Sequence, residues 1–313
     1  MKQYDVIAIG ELNVDLIVTG LDGTPRIGQE TIADNYSLVL GSSTAICACG
    51  ISNLGLKTGF VGKVGKDRFG EVVLEGLQKY GIDMNNIVAD EEIKTGITIS
   101  LSCKSDRALV TCLGSIDALR FEDIDVSLLK QTRHIHVGSY FLQSNLRSDI
   151  PRLFALAMEN GASTSLDAGW DNSQVWDYGI SEALKYTNIF FPNEVEALNI
   201  TKADNVKSAA SILSKKCETV VIKCGPRGAI AQTGSKQFFK DTYDLKPVDT
   251  TGAGDSFNAG YIYAYLRGFE VEKCLEYGNA CGSISVTRIG GASSCASLDE
   301  VRALIDTGKT SLK

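Results

Sequence analysis

The sequence predicts an α/β fold with a mostly parallel central sheet covered by helices on both faces, and a small second β-sheet beside it. Three observations carry that prediction. Short apolar, β-rich runs alternate along the chain with segments of helical period. One stretch, 95–103, instead alternates apolar and polar residues with period two and is followed by a returning strand. No repeat, low-complexity tract or Pro/Gly/Ser linker divides the chain, so its two parts are not expected to be independent domains.

Taken in order, the buried-strand candidates are 6–9, 59–64, 135–137, 164–167, 188–191 and 219–223. Helical periods lie between them. Phe69, Val73, Leu77 and Tyr80 fall on one helix face, as do Ile150, Leu153, Phe154 and Ala157, and again Val206, Ala209, Ala210 and Leu213. Strand and helix in this rhythm imply parallel pairing, and such sheets bind ligands beyond the carboxyl ends of their strands. Residues 95–103 and 108–113, joined by a turn at 104–107, form a hairpin with one dry face. Residues 13–19 and 31–38 are further extended candidates. The expected division is therefore a main α/β unit of 1–10, 41–94 and 116–313, and a β lid of 11–40 and 95–115.

Composition bounds the function. The 313 residues are 44% hydrophobic and 22% charged, and a chain of this length hides roughly three quarters of its unfolded surface in a core. The net charge of −7 lacks the basic footprint of a nucleic-acid binder, so no nucleic-acid or membrane partner is expected. No apolar run approaches the ~20 residues of a membrane span, and the N-terminus lacks a secretory leader pattern, which predicts a cytoplasmic protein. Nine cysteines without a Cys-x-x-Cys pair read as small hydrophobes in a reducing compartment. Cys103 and Cys112 fall on the two strands of the hairpin. His134 and His136 alternate on one strand and point the same way, ordinary strand residues rather than zinc ligands.

The informative stretch is Asp249-Thr250-Thr251-Gly252-Ala253-Gly254-Asp255-Ser256-Phe257-Asn258-Ala259-Gly260. A turn of small residues leads straight into a helix reaching about Leu266. The amides of Gly252, Ala253 and Gly254, together with the helix N-terminus, make an anion cradle. A carboxylate at that same helix start, Asp255, would compete with the anion unless it had its own task. Accepting a proton from an attacking hydroxyl is that task. A glycine turn with an aspartate cap is the bland alternative, which the twelve residues together outweigh. The P-loop and dinucleotide-binding glycine patterns are absent.

These twelve residues resemble the C-terminal signature of the ribokinase-like carbohydrate kinases, the PfkB family. Further motifs follow in the family's order. They are Gly10-Glu11-Leu12-Asn13-Val14-Asp15, the run from Val61 to Gly70, Pro192-Asn193-Glu194-Val195-Glu196, and the run from Lys223 to Ala229. The resemblance implies a ribokinase-like three-layer α/β/α sandwich with a small β-sheet lid, and an ATP-dependent sugar kinase. Asp255 would be the base, and Gly252, Ala253 and Gly254 the anion hole. Asn193 and Glu196 would organise Mg2+ through water. Asn13 and Asp15, with Gly41 and Ser42 of the next loop, would hold substrate. Lys223, Gly225 and Gly228, with Asn279 on a later helix, would flank the nucleotide. Asp249, Thr251, Ser285 and Ser294 resemble the family's monovalent-cation site, which adds K+ to ATP and Mg2+ among the implied ligands. A homodimer through the lid is compatible with this fold.

One segment departs from the family. Its Gly-Gly-x-x-x-Asn, whose Asn touches the sugar, is here Gly41-Ser42-Ser43-Thr44-Ala45-Ile46. Ile46 offers no hydrogen bond, so a substrate should lack a hydroxyl there or present an apolar face, unless Ser42 or Ser43 supplies the bond. Arg107 and Arg120 read mainly as solvated surface charges that could also meet an acidic substrate. A nucleoside kinase of the same fold and a non-catalytic sugar or nucleotide sensor are the alternative functions.

Overall fold

The computed structural model describes residues 2–103 and 107–308. In chain order, β1 (Tyr4–Ile9), β2 (Asn13–Leu21) and β3 (Asn35–Leu40) precede helix α1 (Ser43–Asn53). Then come β4 (Thr58–Gly65), α2 (Arg68–Gln78), β5 (Asp83–Asp90), β6 (Gly96–Cys103), β7 (Arg107–Cys112) and β8 (Thr132–Val137). The middle of the chain forms α3 (Ile150–Glu159), β9 (Ser163–Leu166), α4 (Ile180–Leu184), β10 (Ile189–Phe190), α5 (Glu194–Thr201), α6 (Val206–Leu213) and β11 (Thr219–Lys223). The chain then runs through β12 (Ala229–Thr233), β13 (Lys236–Lys240), α7 (Ala253–Leu266), α8 (Val271–Ser285) and α9 (Leu298–Thr307).

Two sheets result. The large one has nine strands in the order β13-β12-β11-β10-β9-β8-β1-β4-β5, parallel from β11 to β5 and antiparallel only at the β12–β13 end. Its two faces make separate cores. Ile7 and Ile9 of β1, with Ile135 and Val137 of β8, pack on Leu153, Phe154 and Leu213 of α3 and α6. Val6, Ile189 and Val221 pack on the opposite face with Ile51, Tyr261 and Leu275 of α1, α7 and α8. The period-two geometry of the strands forces this division, because neighbouring residues point to opposite faces. The fold is therefore a three-layer α/β/α sandwich with a small separate sheet.

That small sheet has the order β3-β2-β6-β7, with β6–β7 the expected antiparallel hairpin and β2–β6 parallel. Three extended segments differ from the sequence expectation. β3 begins at Asn35 rather than near 31, because its ladder starts where Asn35 pairs with Thr19. β10 has two residues only, Ile189 and Phe190. β5 is an edge strand whose polar sequence, Asp83-Met84-Asn85-Asn86, conceals it.

The cysteines are all unbridged, and seven of the nine are buried, Cys103 and Cys112 being the more open two. His134 and His136 share a face of β8 as expected. Ser165 Oγ lies 2.7 Å from His134 Nε2 and 2.8 Å from His136 Nδ1, and Ser163 Oγ lies 2.8 Å from His134 Nδ1. Burial is the main cause that drives their pKa values down, to about 3 for His134 and about 4 for His136, so both rings are neutral near pH 7.

Candidate active site

The turn before α7 brings the glycine-rich run to the carboxyl edge of the large sheet. Gly252 caps the helix at φ 75°, in the left-handed region. A β-carbon there would stand 3.0 Å from the Gly291 Cα and 3.1 Å from the Ile46 Cγ2, so only glycine fits the turn without strain. Asp255 follows in the first turn of α7 and lines a cleft of about 750 Å3 between that helix and the small sheet. Burial pushes its carboxyl up from the ordinary 3.8 to about 7, and the Asp167 and Glu11 carboxyls add to the rise, while Lys223 and Ser43 oppose it. A carboxylate titrating near neutrality is suited to taking a proton at pH 7.

Behind Asp255 lies a buried charge cluster. Lys223 Nζ donates to Asp167 Oδ2 at 2.6 Å and to Asn258 Oδ1 at 3.3 Å, and Asn258 Nδ2 donates to Asp167 Oδ2 at 2.8 Å. Burial opposes ionisation of both members of the ion pair. The ammonium nevertheless holds Asp167 below the carboxylate range, and the surrounding carboxylates hold Lys223 above its usual value. Lys223 Nζ is 3.5 Å from where a β-carbon on Gly254 would sit, so the missing side chain leaves the ammonium open toward the turn. Asn193 caps α5 in a reciprocal box with Glu196. The Glu196 amide donates to Asn193 Oδ1 at 2.9 Å, and the Asn193 amide donates to Glu196 Oε2 at 2.7 Å. Glu196 is pushed upward mainly by burial and then by Asp167. Among the described residues, no group of three acidic, His or Cys side chains is placed to hold a metal directly.

The opposite wall of the cleft carries the substrate candidates. Asn13 Nδ2 donates to Asp15 Oδ1 at 3.0 Å, and a β-carbon on Gly41 would overlap Asp15 Oδ1 at 2.3 Å, so the loop backbone lies directly against this pair. Ser42 lines the cleft, but its hydroxyl caps α1 by accepting from the Ala45 amide at 2.9 Å and donates to the Glu11 carbonyl at 2.6 Å. Ile46 is buried against Gly252 and Gly291 and forms part of the cleft wall. Trp170, 46% exposed, stands on the same cleft.

Of the remaining candidates, Thr251 lines this cleft and the others lie outside its lining. Gly228, at φ 82°, would set a β-carbon 2.0 Å from the Lys240 carbonyl. Asn279 Nδ2 donates to that same carbonyl at 2.9 Å and to that of Asp241 at 3.1 Å, so these two nucleotide candidates converge on the end of β13. Gly225, at φ 57°, opens the turn between β11 and β12. Asp249 accepts from the Thr251 amide at 2.9 Å and the Gly290 amide at 3.0 Å, tying the α7 turn to the loop after α8. The Ser285 and Ser294 hydroxyls donate to the carbonyls of Gly282 and Gly291. Arg120 does not line the cleft, and the Arg107 side chain lies outside the described residues.

Sequence reasoning missed Asp167, Asn258 and Glu11. Asp167 had a positional signal, since it ends a strand predicted to point at the ligand edge. Glu11 is buried and accepts from the Thr44 amide at 3.1 Å, the Ser139 hydroxyl at 3.0 Å and the Thr44 hydroxyl. Burial raises its pKa in spite of these donors.

A family model described as pfkB family carbohydrate kinase matches residues 3–298. A 5-dehydro-2-deoxygluconokinase of Halalkalibacterium halodurans is 27% identical over 326 residues, which cover 99% of this chain and 96% of the relative. An ATP-dependent ribose-1-phosphate kinase of Halopiger xanaduensis is 29% identical, with 96% of this chain and 97% of the relative covered. Among solved structures, an E. coli protein described as a ribokinase II, in complex with ATP and Mg2+, matches with a TM-score of 0.86 at 25% identity, over 97% of this chain and 99% of that one.

Proposed function

The chain belongs to the pfkB family of carbohydrate kinases and is an ATP-dependent carbohydrate kinase, and from that premise we propose that the cleft holds a small sugar whose hydroxyl is phosphorylated with Asp255 as base. The observation that carries this reading is the position of Asp255. It faces the cleft beside the Gly252–Gly254 turn and titrates near neutrality. A substrate hydroxyl seated between Asp255 and Asn13–Asp15 loses its proton to Asp255 as its oxygen attacks the γ-phosphorus of ATP, and the bond from that phosphorus to the β,γ-bridging oxygen breaks to release ADP. The amides of Gly252, Ala253 and Gly254 receive the equatorial oxygens, where charge accumulates. Lys223, fixed by Asp167 and Asn258, sets a positive charge beside the same turn.

The donor set fits Mg2+ held chiefly by phosphate oxygens and water, with Asn193 and Glu196 organising the water. When bound, the ion neutralises phosphate charge. Lys223, Gly225, Gly228 and Asn279 border the nucleotide. Asp249, which bridges the α7 turn to the loop that runs from Ser285 at the end of α8 to Ser294, supports a K+ site that shapes the anion hole from behind. The small sheet acts as the lid, made of residues 11–40 and 95–115 against a main unit of 1–10, 41–94 and 116–313. Its outer face carries exposed Tyr36, Leu38 and Val110, which supports a lid-to-lid homodimer. Light scattering that gives a monomer at micromolar concentration contradicts that assembly. No helix among the described residues is long and apolar enough to cross a membrane, and a cytoplasmic enzyme is the reading that agrees with this.

The experiment that tests the proposal is ADP release from ATP across sugars, sugar acids and nucleosides. Nucleosides form the second reading, favoured by the half-exposed Trp170 on which a base would stack. Turnover confined to nucleosides would replace the first reading by the second. Turnover of a sugar that survives in Asp255→Asn would remove Asp255 as base.

A further inference from the structure

The charges on the cleft wall are of one sign. Three carboxyl groups, Glu11, Asp15 and Asp255, reach the cleft, and the described lining residues include no lysine, arginine or histidine. Lys223, held by Asp167 and Asn258, opens toward Gly254 and does not line the cleft. Arg147 lies over the Tyr178 ring with its guanidinium carbon 3.9 Å from the ring centre, and Lys63 is paired with Asp123 at 2.9 Å. The underside of the small sheet adds hydroxyls, from Thr98, Ser100 and Thr111. Ile46 and Trp170 supply the apolar surface.

This lining has a definite chemical preference. Carboxylates only accept hydrogen bonds, so they reward a ligand rich in hydroxyl donors and repel a second anion in a site with little water. A carboxylate or phosphate on the substrate would be desolvated beside like charges, with no cation among the described lining residues to pair with. The apolar surfaces suit a C–H face or a deoxy carbon.

We propose that, within the kinase reading above on which this rests, the acceptor is a neutral polyhydroxylated sugar or cyclic polyol, and that the cleft rejects sugar acids and sugar phosphates. The site thus selects by charge before it selects by stereochemistry.

The test uses the full-length protein with saturating ATP and Mg2+ and compounds matched in shape but not in charge. Glucose is set against gluconate and glucose 6-phosphate, ribose against ribose 1-phosphate, and myo-inositol against glucuronate. Binding to Asp255→Asn, read as a ligand-induced rise in melting temperature, is measured on the same panel. The expected result is a kcat/KM for the best neutral compound at least about 100-fold above any charged one. A charged compound used as well as the neutral ones overturns the proposal. So does a panel in which no neutral compound is either turned over or bound. Neutral compounds that bind while wild type releases no ADP keep the charge preference and sink the kinase reading instead. Two variants sharpen the outcome. Thr111→Lys places a cation in the cleft and should shift the ratio toward acids by about tenfold or more. An acid used by wild type and lost in Arg107→Gln would identify a cation outside the described residues and overturn the proposal.

Discussion

Replacing Asp255 by asparagine should abolish catalysis and, at alkaline pH, make the protein more stable. The native carboxyl titrates near 7 instead of 3.8, with burial the main cause, whereas in the unfolded chain it ionises near 4. As pH rises between those values the unfolded state gives up its proton and the native state keeps it. Native stability is therefore lost progressively over that window, and the cost is constant above about pH 7. The gap is about three pH units, a ceiling of ~4 kcal/mol. Asp255 is partly open to the cleft, and solvent screening reduces the expected cost to about 1–2 kcal/mol. An uncharged amide removes it. For a chain of this length, scaling of the unfolding entropy gives a rise in Tm of about 2–4 °C at pH 8 and less than about 1 °C at pH 5. Meanwhile kcat should fall by about 10²–10⁴, the usual loss of a general base. Scanning calorimetry at the two pH values, with ADP-release kinetics and ATP binding, checks both halves. Near-normal kcat removes Asp255 as base. A variant less stable than wild type at pH 8 means that the carboxylate is needed to balance Lys223, and refutes the burial reasoning.

Other perturbations follow from the same geometry. The wild-type kcat/KM should rise with pH and level off above an apparent pKa near 7, the value for Asp255; a flat profile from pH 5.5 to 8.5 contradicts this. Lys223→Met strands the carboxylates of Asp167, Glu196 and Asp255 together, which should cost about 3–5 kcal/mol in a denaturant titration and move that apparent pKa upward. Ile46→Asn should improve kcat/KM for ribose and fructose by about 5–150-fold, the worth of one restored buried hydrogen bond; equal use of both sugars by both proteins shows that Ile46 does not set specificity. Activity should be higher in K+ than in Na+ or a bulky organic cation, and indifference across a titration removes the cation site behind the α7 turn.

Much of this was readable from residue order. Strands β1, β4, β8 and β11 are apolar runs because they are covered on both faces, and burial on both faces leaves an unmistakable trace. β5, an edge strand, leaves almost none, and its asparagines are tolerated because one side meets solvent. The α7 turn was legible because backbone that must approach an anion admits few residue types. The Asp167–Lys223–Asn258 cluster was not, since its members lie 35 to 91 positions apart and meet only through the parallel topology. Ser42 shows a different limit. Its place beside the substrate loop is local information, but its commitment to the α1 cap and Glu11 depends on a residue 31 positions earlier.

The serine-linked histidines of β8 take no part in the chemistry, yet they set an acid limit on the whole molecule. Below about pH 6 an unfolded chain gathers a proton on each ring, while the folded chain, with pKa values near 3 and 4, gathers none until far lower. Stability is therefore complete above the ordinary histidine pKa and drains away as pH falls. By pH 4.5 the two rings together withdraw on the order of 5 kcal/mol. That rivals the entire 5–15 kcal/mol margin by which domains usually remain folded, roughly stated. Both rings lie on the face of β8 that meets Tyr265 and Phe191, in the middle of the large sheet, so protonation there would strike the core beneath α7. As pH falls, such an enzyme loses its catalytic base to protonation first, near pH 7, and its fold only afterwards, as the histidine cost accumulates below about pH 6.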